Sequence, residues 1–304
     1  YRVTGQGSRD WLNHIMAGRI PENGRLSLTP MLSPKGRLIG DFTVSCLGEH
    51  EFQLTASYGS QAFHMRWFDK NIADGVRVEN ISDRCTGFQI AGPNATALLQ
   101  KVTRDDPETM RFLDVRPMVV GMVECLVQRV SYTGDLGYEI YCDPTDQRAL
   151  WHQLWAAGQP MGLRPFGMRA MMSLRLDKFF GSWMREFSPD YTAAETGLDR
   201  FISWGKEVEF IGKAAAVRER QNGSDRKLVV FEVDTDDADV VAYEPVWING
   251  QVKGFCTSGG YSHYAQKSIA MALVPSECIT DTLEAEIEIL GKTYSAKRIT
   301  TPFL

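Results

Sequence analysis

The stretch Ser131-Tyr-Thr-Gly-Asp-Leu-Gly-Tyr-Glu139 combines two glycines, two tyrosines and a glutamate within one short strand-like segment. Glycine inside a strand marks a bend, a bulge or a place where another group approaches the backbone closely. About a hundred residues earlier, Asp41 stands inside a second strand-like stretch. From this local pattern two interpretations stay open: a tight hairpin with ordinary surface carboxylates, or a ligand site that uses both acids.

The strand that carries Asp41 is predicted from alternation after a turn at residues 33–36. One face of that strand holds Leu38, Gly40, Phe42 and Val44, and the other holds Ile39, Asp41, Thr43 and Ser45. Because successive strand side chains point to opposite faces, Asp41 is expected to point away from the apolar face. The pattern leaves open whether it faces water or a cavity.

Composition indicates an ordinary globular protein. Apolar residues make up 43% and charged residues 23% of the 304 residues, which excludes a largely disordered chain. A formal net charge of −5 argues against nucleic acid or an anionic membrane as a partner, since both select basic surfaces. No apolar run approaches the ~20 residues of a membrane span. We therefore expect a cytoplasmic protein, or a mitochondrial matrix protein if the source is eukaryotic.

Metal and nucleotide motifs are absent from the sequence. The six cysteines and five histidines are scattered, without the spacing typical of zinc ligands, so no metal site is expected. Neither a Gly-x-Gly-x-x-Gly fingerprint nor a Walker sequence occurs. The first residue is Tyr1 rather than methionine, and we expect further residues upstream.

The order of predicted elements divides the chain into two regions. Strands and amphipathic helices alternate through residues 1–222, with helices expected near residues 8–18, 61–72, 145–158 and 166–178. After Gly223 the composition shifts to closely spaced strands, typical of a small β-barrel or sandwich over residues 223–304.

Several motifs together resemble the glycine-cleavage T-protein (aminomethyltransferase) superfamily, in order and spacing, over nearly the whole chain. The motifs are LTPMLSPKGRLIGDFTV at residues 28–44, IAGPN at 90–94, YTGDLGYEI at 132–140, SLRLD at 173–177, ETGL at 195–198, FIGK at 210–213 and TSGGYS at 257–262. Within that superfamily, HMRWF at 64–68 and FSPDY at 187–191 look most like the C-terminal folate-binding half of dimethylglycine oxidases and dehydrogenases and of sarcosine dehydrogenase.

The resemblance implies an α+β fold of three lobes, with two interleaved ferredoxin-like lobes and a C-terminal β-barrel around a channel for tetrahydrofolate. It also implies transfer of a one-carbon unit from an oxidised N-methyl amine of the dimethylglycine or sarcosine type, captured as 5,10-methylenetetrahydrofolate. The partners implied are a small amine or another one-carbon donor, and a flavoprotein domain or subunit. FAD would then lie only on an upstream domain or on a separate partner.

The resemblance also assigns roles to individual residues. Asp41 matches the catalytic aspartate, which would act as a base and counter-charge beside a nucleophilic folate nitrogen. Glu139 matches the acceptor for the N–H edge of the pterin ring, and Tyr132 would form a wall of the ring site. Weaker folate-binding candidates are Glu195, Tyr191, Trp183 and Arg175. Glu195 could equally cap a turn, and Arg175 could form a structural ion pair.

One position departs from the T-protein pattern. An arginine expected one turn before Arg175 is Met171 here, with Arg169 displaced by two residues. This departure favours the oxidase-linked branch over a protein acting on a lipoyl carrier. Two alternatives remain open: a folate-dependent demethylase for an O-methyl or S-methyl donor, and a non-catalytic folate-binding regulatory protein.

Overall fold

The computed structural model describes residues 1–304. The helices are α1 (Ser8–Ile15), α2 (Gln61–Lys70), α3 (Ala95–Val102), α4 (Gln147–Gly158), α5 (Met168–Leu174), α6 (Ala193–Thr196) and α7 (Lys213–Asn222). The strands are β1 (Arg2–Thr4), β2 (Leu26–Leu32), β3 (Leu38–Gly48), β4 (Glu51–Thr55), β5 (Arg77–Glu79), β6 (Thr86–Ala91), β7 (Val115–Val120), β8 (Val123–Gln128), β9 (Gly137–Cys142), β10 (Arg226–Val233), β11 (Pro245–Ile248), β12 (Gln251–Ser262), β13 (Lys267–Pro275), β14 (Glu284–Ile289) and β15 (Lys292–Ile299).

Contacts divide the chain into two compact units. The first unit comprises Tyr1–Met31, Asp41–Phe166 and Ser203–Phe210, and the second comprises Leu32–Gly40, Gly167–Ile202 and Ile211–Leu304. Both units are therefore assembled from segments that are distant in sequence, and each is described separately below.

The first sheet of the first unit has the order β2-β3-β4-β1-β5. One face of β3 presents Phe42, Val44 and Cys46, all essentially buried, as the alternation predicts. His64 and Phe68 of α2 pack on the Phe42 ring, with centroids 4.7 and 5.9 Å away. Burial of these aromatic rings fixes which face of β3 is covered, because a slip of one residue would reverse every side chain.

The second sheet of the first unit has the order β6-β9-β8-β7, with antiparallel pairing throughout. Its apolar face carries Val127, Tyr138 and Ile140 and forms one core with Leu98 and Leu154 of helices α3 and α4. The opposite face therefore belongs to the alternate residues of β8 and β9.

The polar faces of these two sheets meet within the first unit. The Gln128 side chain on β8 donates a hydrogen bond of 3.0 Å to the Ser45 hydroxyl on β3. The side chain of Thr55 on β4 also lies near Tyr141 on β9, where it opposes part of the rise in the pKa of that hydroxyl. We call this layer, formed by Asp41, Thr43, Ser45, Thr55, Gln128, Glu139 and Tyr141, the polar layer.

The second unit contains a closed barrel in the order β10-β13-β12-β11-β14-β15. Alternate side chains of its strands form one apolar core that includes Phe231, Ala272 and Ile287. Irregular pairing between Cys256 and Ser258 bends the long strand β12 so that the sheet can close. The predicted α+β class with a C-terminal barrel is confirmed.

Candidate functional site

Asp41 lies on the polar side of β3, in a partly buried position. Burial raises the pKa of its carboxyl from 3.8 to about 7, and a hydrogen bond with its own backbone opposes that shift only in part. A carboxyl with this pKa is present in both protonation states near neutral pH, so it can accept and return a proton.

A pocket of about 150 Å³ opens in the first unit. Its lining includes Thr55, Ser57, Tyr58 and Tyr141. The β3–β4 ladder ends at the pair Thr43–Thr55, and the same antiparallel register continued by two residues leads to Asp41 and Ser57. The pocket therefore adjoins the face of the sheet on which Asp41 lies.

Glu139 lies on the facing side of the polar layer, on β9. Its neighbours in the sheet are Gln89 on β6 and Gln128 on β8. The Tyr141 hydroxyl donates a hydrogen bond of 2.7 Å to Oε2 of Glu139. Asp41 and Glu139 thus belong to the two opposing sheets of the polar layer.

Tyr132 lies in the loop between β8 and β9, spanning residues 129–136, rather than in a continuous strand. Within this loop the Thr133 hydroxyl bonds to Ser131 and donates to Asp135. A Cβ added to Gly137 would lie 2.6 Å from the Ile90 carbonyl oxygen. The close approach predicted at this glycine is therefore made by a neighbouring strand of the protein itself.

Glu195 of the second unit lies in a capping box at the start of α6. Its carboxylate accepts a hydrogen bond from the Thr192 backbone amide, while its own amide donates to the Thr192 hydroxyl. Arg37 and Arg226 pair with the two oxygens of the same carboxylate, at 3.3 and 3.0 Å. The contacts of Glu195 are therefore those of a helix-capping residue.

Arg175 is almost completely buried in the second unit. Its guanidinium pairs with Glu186 at 2.9 Å and also donates to the Ser258 hydroxyl and the Phe180 carbonyl oxygen. Five N–H donors are the full capacity of an arginine, and the protein engages most of them here. These contacts favour the structural ion pair over a contact with a folate carboxylate.

Tyr191, also in the second unit, lies under the Arg226 guanidinium, which is 4.9 Å from the ring centroid. Burial raises the pKa of its hydroxyl. Trp183 forms a short parallel bridge with Phe187. Both residues therefore contribute to local packing in that unit.

Two members of the polar layer escaped sequence reasoning. Tyr141 follows Glu139 by two residues, and residues two apart in a strand lie on the same face, so the sequence could have indicated this position. Gln128 is fully buried, and its Oε1 has no hydrogen-bond partner. The position of Gln128, a polar residue at the end of an apolar strand, could have indicated a buried polar contact. Its partner Ser45 could not be predicted, because it is distant in sequence.

No group of three or more histidine, cysteine or acidic side chains could hold a metal ion, and all six cysteines are free. None of the helices has the length and apolar character needed to cross a bilayer.

Two family descriptions match the chain: the GCVT N-terminal domain over residues 1–206, and the glycine cleavage T-protein C-terminal barrel domain over residues 226–304. The chain belongs to the glycine cleavage T-protein family. The resemblance inferred from the motifs is therefore confirmed.

Relatives of this chain are enzymes of two kinds. Human mitochondrial dimethylglycine dehydrogenase is 37% identical over the whole chain, which spans 36% of that protein. The aminomethyltransferase of Geobacillus sp. (strain WCH70) is 31% identical over 99% of the chain and 83% of its own length. The chain thus spans about a third of the dehydrogenase and carries an aminomethyltransferase-like domain.

A solved structure shows the same fold. The glycine cleavage system aminomethyltransferase T from Bartonella henselae matches all of this chain and 83% of its own, with a TM-score of 0.91 at 22% identity.

Proposed function

We propose that this chain catalyses tetrahydrofolate-dependent one-carbon transfer, in which the methylene unit of an oxidised N-methyl amine is captured as 5,10-methylenetetrahydrofolate. The single observation that carries this proposal is Asp41, whose pKa of about 7 suits a proton acceptor at neutral pH. Membership of the T-protein family supports the class of reaction.

The residues of the polar layer fit tetrahydrofolate. A pterin ring offers a row of N–H donors, and Glu139 supplies carboxylate oxygens that can accept two of them. The aromatic rings of Tyr58 and Tyr141 line the adjacent pocket, where a flat ring system can pack on them. The unpaired Oε1 of Gln128 shows that the protein alone does not satisfy this layer.

Bound tetrahydrofolate supplies the nucleophilic nitrogen that receives the one-carbon unit. In this proposal Glu139 holds and orients the ring, and Tyr132 contributes a wall from the preceding loop. Asp41 accepts the proton released when the new carbon–nitrogen bond forms. Its negative charge also stabilises positive charge that develops next to it, and it does so more strongly in a partly desolvated site.

The one-carbon donor in this proposal is a small N-methyl amine of the dimethylglycine or sarcosine type. Support comes from the dimethylglycine dehydrogenases, which match the chain over its full length. Oxidation of the amine requires an electron acceptor, and we assign it to a flavoprotein domain or subunit that carries FAD. The cellular location that fits is the cytoplasm, or the mitochondrial matrix in a eukaryote.

The test is anaerobic calorimetric titration of tetrahydrofolate into the protein and into its Glu139→Gln variant. We expect the parent to bind and the variant to bind about ten to a hundred times more weakly, because the amide replaces a charged acceptor with a mixed donor and acceptor. A folded parent that does not bind tetrahydrofolate contradicts the proposal. Binding without turnover of formaldehyde would instead favour a regulatory folate-binding protein.

A further inference from the structure

The Tyr141 hydroxyl occupies a branch point in the polar layer. It donates to Oε2 of Glu139 at 2.7 Å, two residues away on the same strand and the same face. The side chain of Thr55, on the other sheet of the first unit, lies near this hydroxyl and opposes part of the rise in its pKa.

This arrangement keeps Tyr141 a donor at all working pH values. Desolvation, followed by the negative charge of Glu139 and the hydrogen bond to it, raises the pKa of Tyr141 well above its ordinary value of 10.0. The hydroxyl therefore retains its proton, and one lone pair of Glu139 Oε2 is always engaged from this side.

A glutamate has three rotatable bonds, and an unrestrained one loses side-chain entropy when it binds a ligand. Tyr141 is held by its place in β9, where its neighbour across the ladder is Leu126 of β8. A carboxylate fixed by such a group is oriented before the ligand arrives, which increases affinity without a new ligand contact.

We infer that Tyr141 is a positioning residue, which orients the Glu139 carboxylate toward the N–H edge of a pterin ring from its fixed place in β9. The inference rests on the proposed function. It assigns to Tyr141 an effect that passes through Glu139 and is not due to contact of its hydroxyl with the ligand.

The experiment compares Tyr141→Phe with Tyr138→Phe as a matched control. Tyr138 lies on the opposite, apolar face of the same strand, where its hydroxyl bonds to Thr96 at 2.8 Å. Both variants lose one hydroxyl from β9 and keep the ring. The quantities measured are the Kd for tetrahydrofolate by anaerobic calorimetry, the KM and kcat for product formation, and the urea midpoint.

We expect Tyr141→Phe to raise the Kd and the KM for tetrahydrofolate about tenfold with kcat nearly unchanged, since orientation of the bound ring is a uniform binding effect. Thr55→Val should raise the Kd by a smaller factor. Tyr138→Phe should leave the Kd unchanged, even if its urea midpoint falls. In the Glu139→Gln background, Tyr141→Phe should have a smaller effect, because the amide oxygen that remains is a weaker acceptor than the carboxylate.

Two results overturn the inference while the proposed function stands: an unchanged Kd in Tyr141→Phe, or an effect of the same size with and without Glu139→Gln. Failure of the folded parent to bind tetrahydrofolate overturns the proposed function itself, and the inference with it. A Tyr141→Phe variant that unfolds is replaced by Thr55→Val, whose Kd must then rise by a larger factor in the parent than in the Glu139→Gln background.

Discussion

The Ser45 hydroxyl accepts a hydrogen bond of 3.0 Å from the Gln128 side chain, and so ties β3 to β8 across the polar layer. Both residues are fully buried. Because Oε1 of Gln128 has no partner, this one bond is the main compensation for burying the amide.

Ser45→Ala should therefore lower the free energy of unfolding by about 1–3 kcal/mol, since it leaves a second polar group of Gln128 without a partner. Urea denaturation measures the change. The double variant Ser45→Ala with Gln128→Leu should recover most of the loss, because both polar partners are then removed together. Equal stability of parent and Ser45→Ala would show that the bond contributes nothing.

Asp41 should make stability depend on pH in a defined window. Its folded pKa of about 7 lies above the ordinary 3.8, so the folded protein binds more protons between these values. The contribution is complete below about pH 4 and is lost as pH rises toward 7. Asp41→Asn should thus be more stable than the parent at pH 8, by on the order of 2 kcal/mol, with little difference at pH 4. Chemical denaturation at both pH values is the measurement, and a constant difference would contradict it.

The buried pair of Arg175 and Glu186 should control the stability of the second unit. Glu186 also accepts from the Thr257 hydroxyl at 2.7 Å, so either truncation leaves several buried groups unpaired. Arg175→Ala should cost about 3–5 kcal/mol of unfolding free energy. The exposed Arg169→Ala is the control and should change it by less than about 0.5 kcal/mol. Thermal or urea unfolding that gives similar values for both variants would disprove the structural role.

Gly137→Ala should disturb the pairing of β6 with β9. The added Cβ would lie 2.6 Å from the Ile90 carbonyl oxygen, so one strand must move. We expect a loss of about 1–3 kcal/mol in unfolding free energy. Gly205→Ala is the matched control, because nothing lies within 4 Å of the position of its added Cβ. If the two substitutions lower the unfolding free energy by the same small amount, the close packing of β6 against β9 does not explain why glycine is present at residue 137.

Much of the fold could be predicted because its signals are local. The alternation through residues 38–45 correctly placed Phe42 and Val44 in the core and Asp41 on the other face. The dense strands after residue 223 correctly indicated the barrel. The loop at residues 129–136 was missed, because two glycines beside a strand do not reveal where the strand begins.

The site was less accessible to prediction because its contacts are distant in sequence. The bond from Gln128 to Ser45 can be predicted only if it is known which sheet faces which, and no local period contains that information. Arg175 and Glu195 were predicted as ligand contacts because charged side chains suit a ligand. In the structure both form ion pairs with other residues of the protein. Charge type alone does not separate the two roles, whereas the count of protein hydrogen bonds does.

The central claim is that Asp41 is the base of a one-carbon transfer to tetrahydrofolate. The most direct measurement is the rate of 5,10-methylenetetrahydrofolate formation from tetrahydrofolate and formaldehyde, in the parent and in Asp41→Asn, from pH 5.5 to 8.5. We expect the rate of the parent to rise with an apparent pKa near 7. We expect Asp41→Asn to be at least about 100-fold slower, with a Kd for tetrahydrofolate close to that of the parent. A variant that keeps the parent's rate and pH profile would contradict this claim.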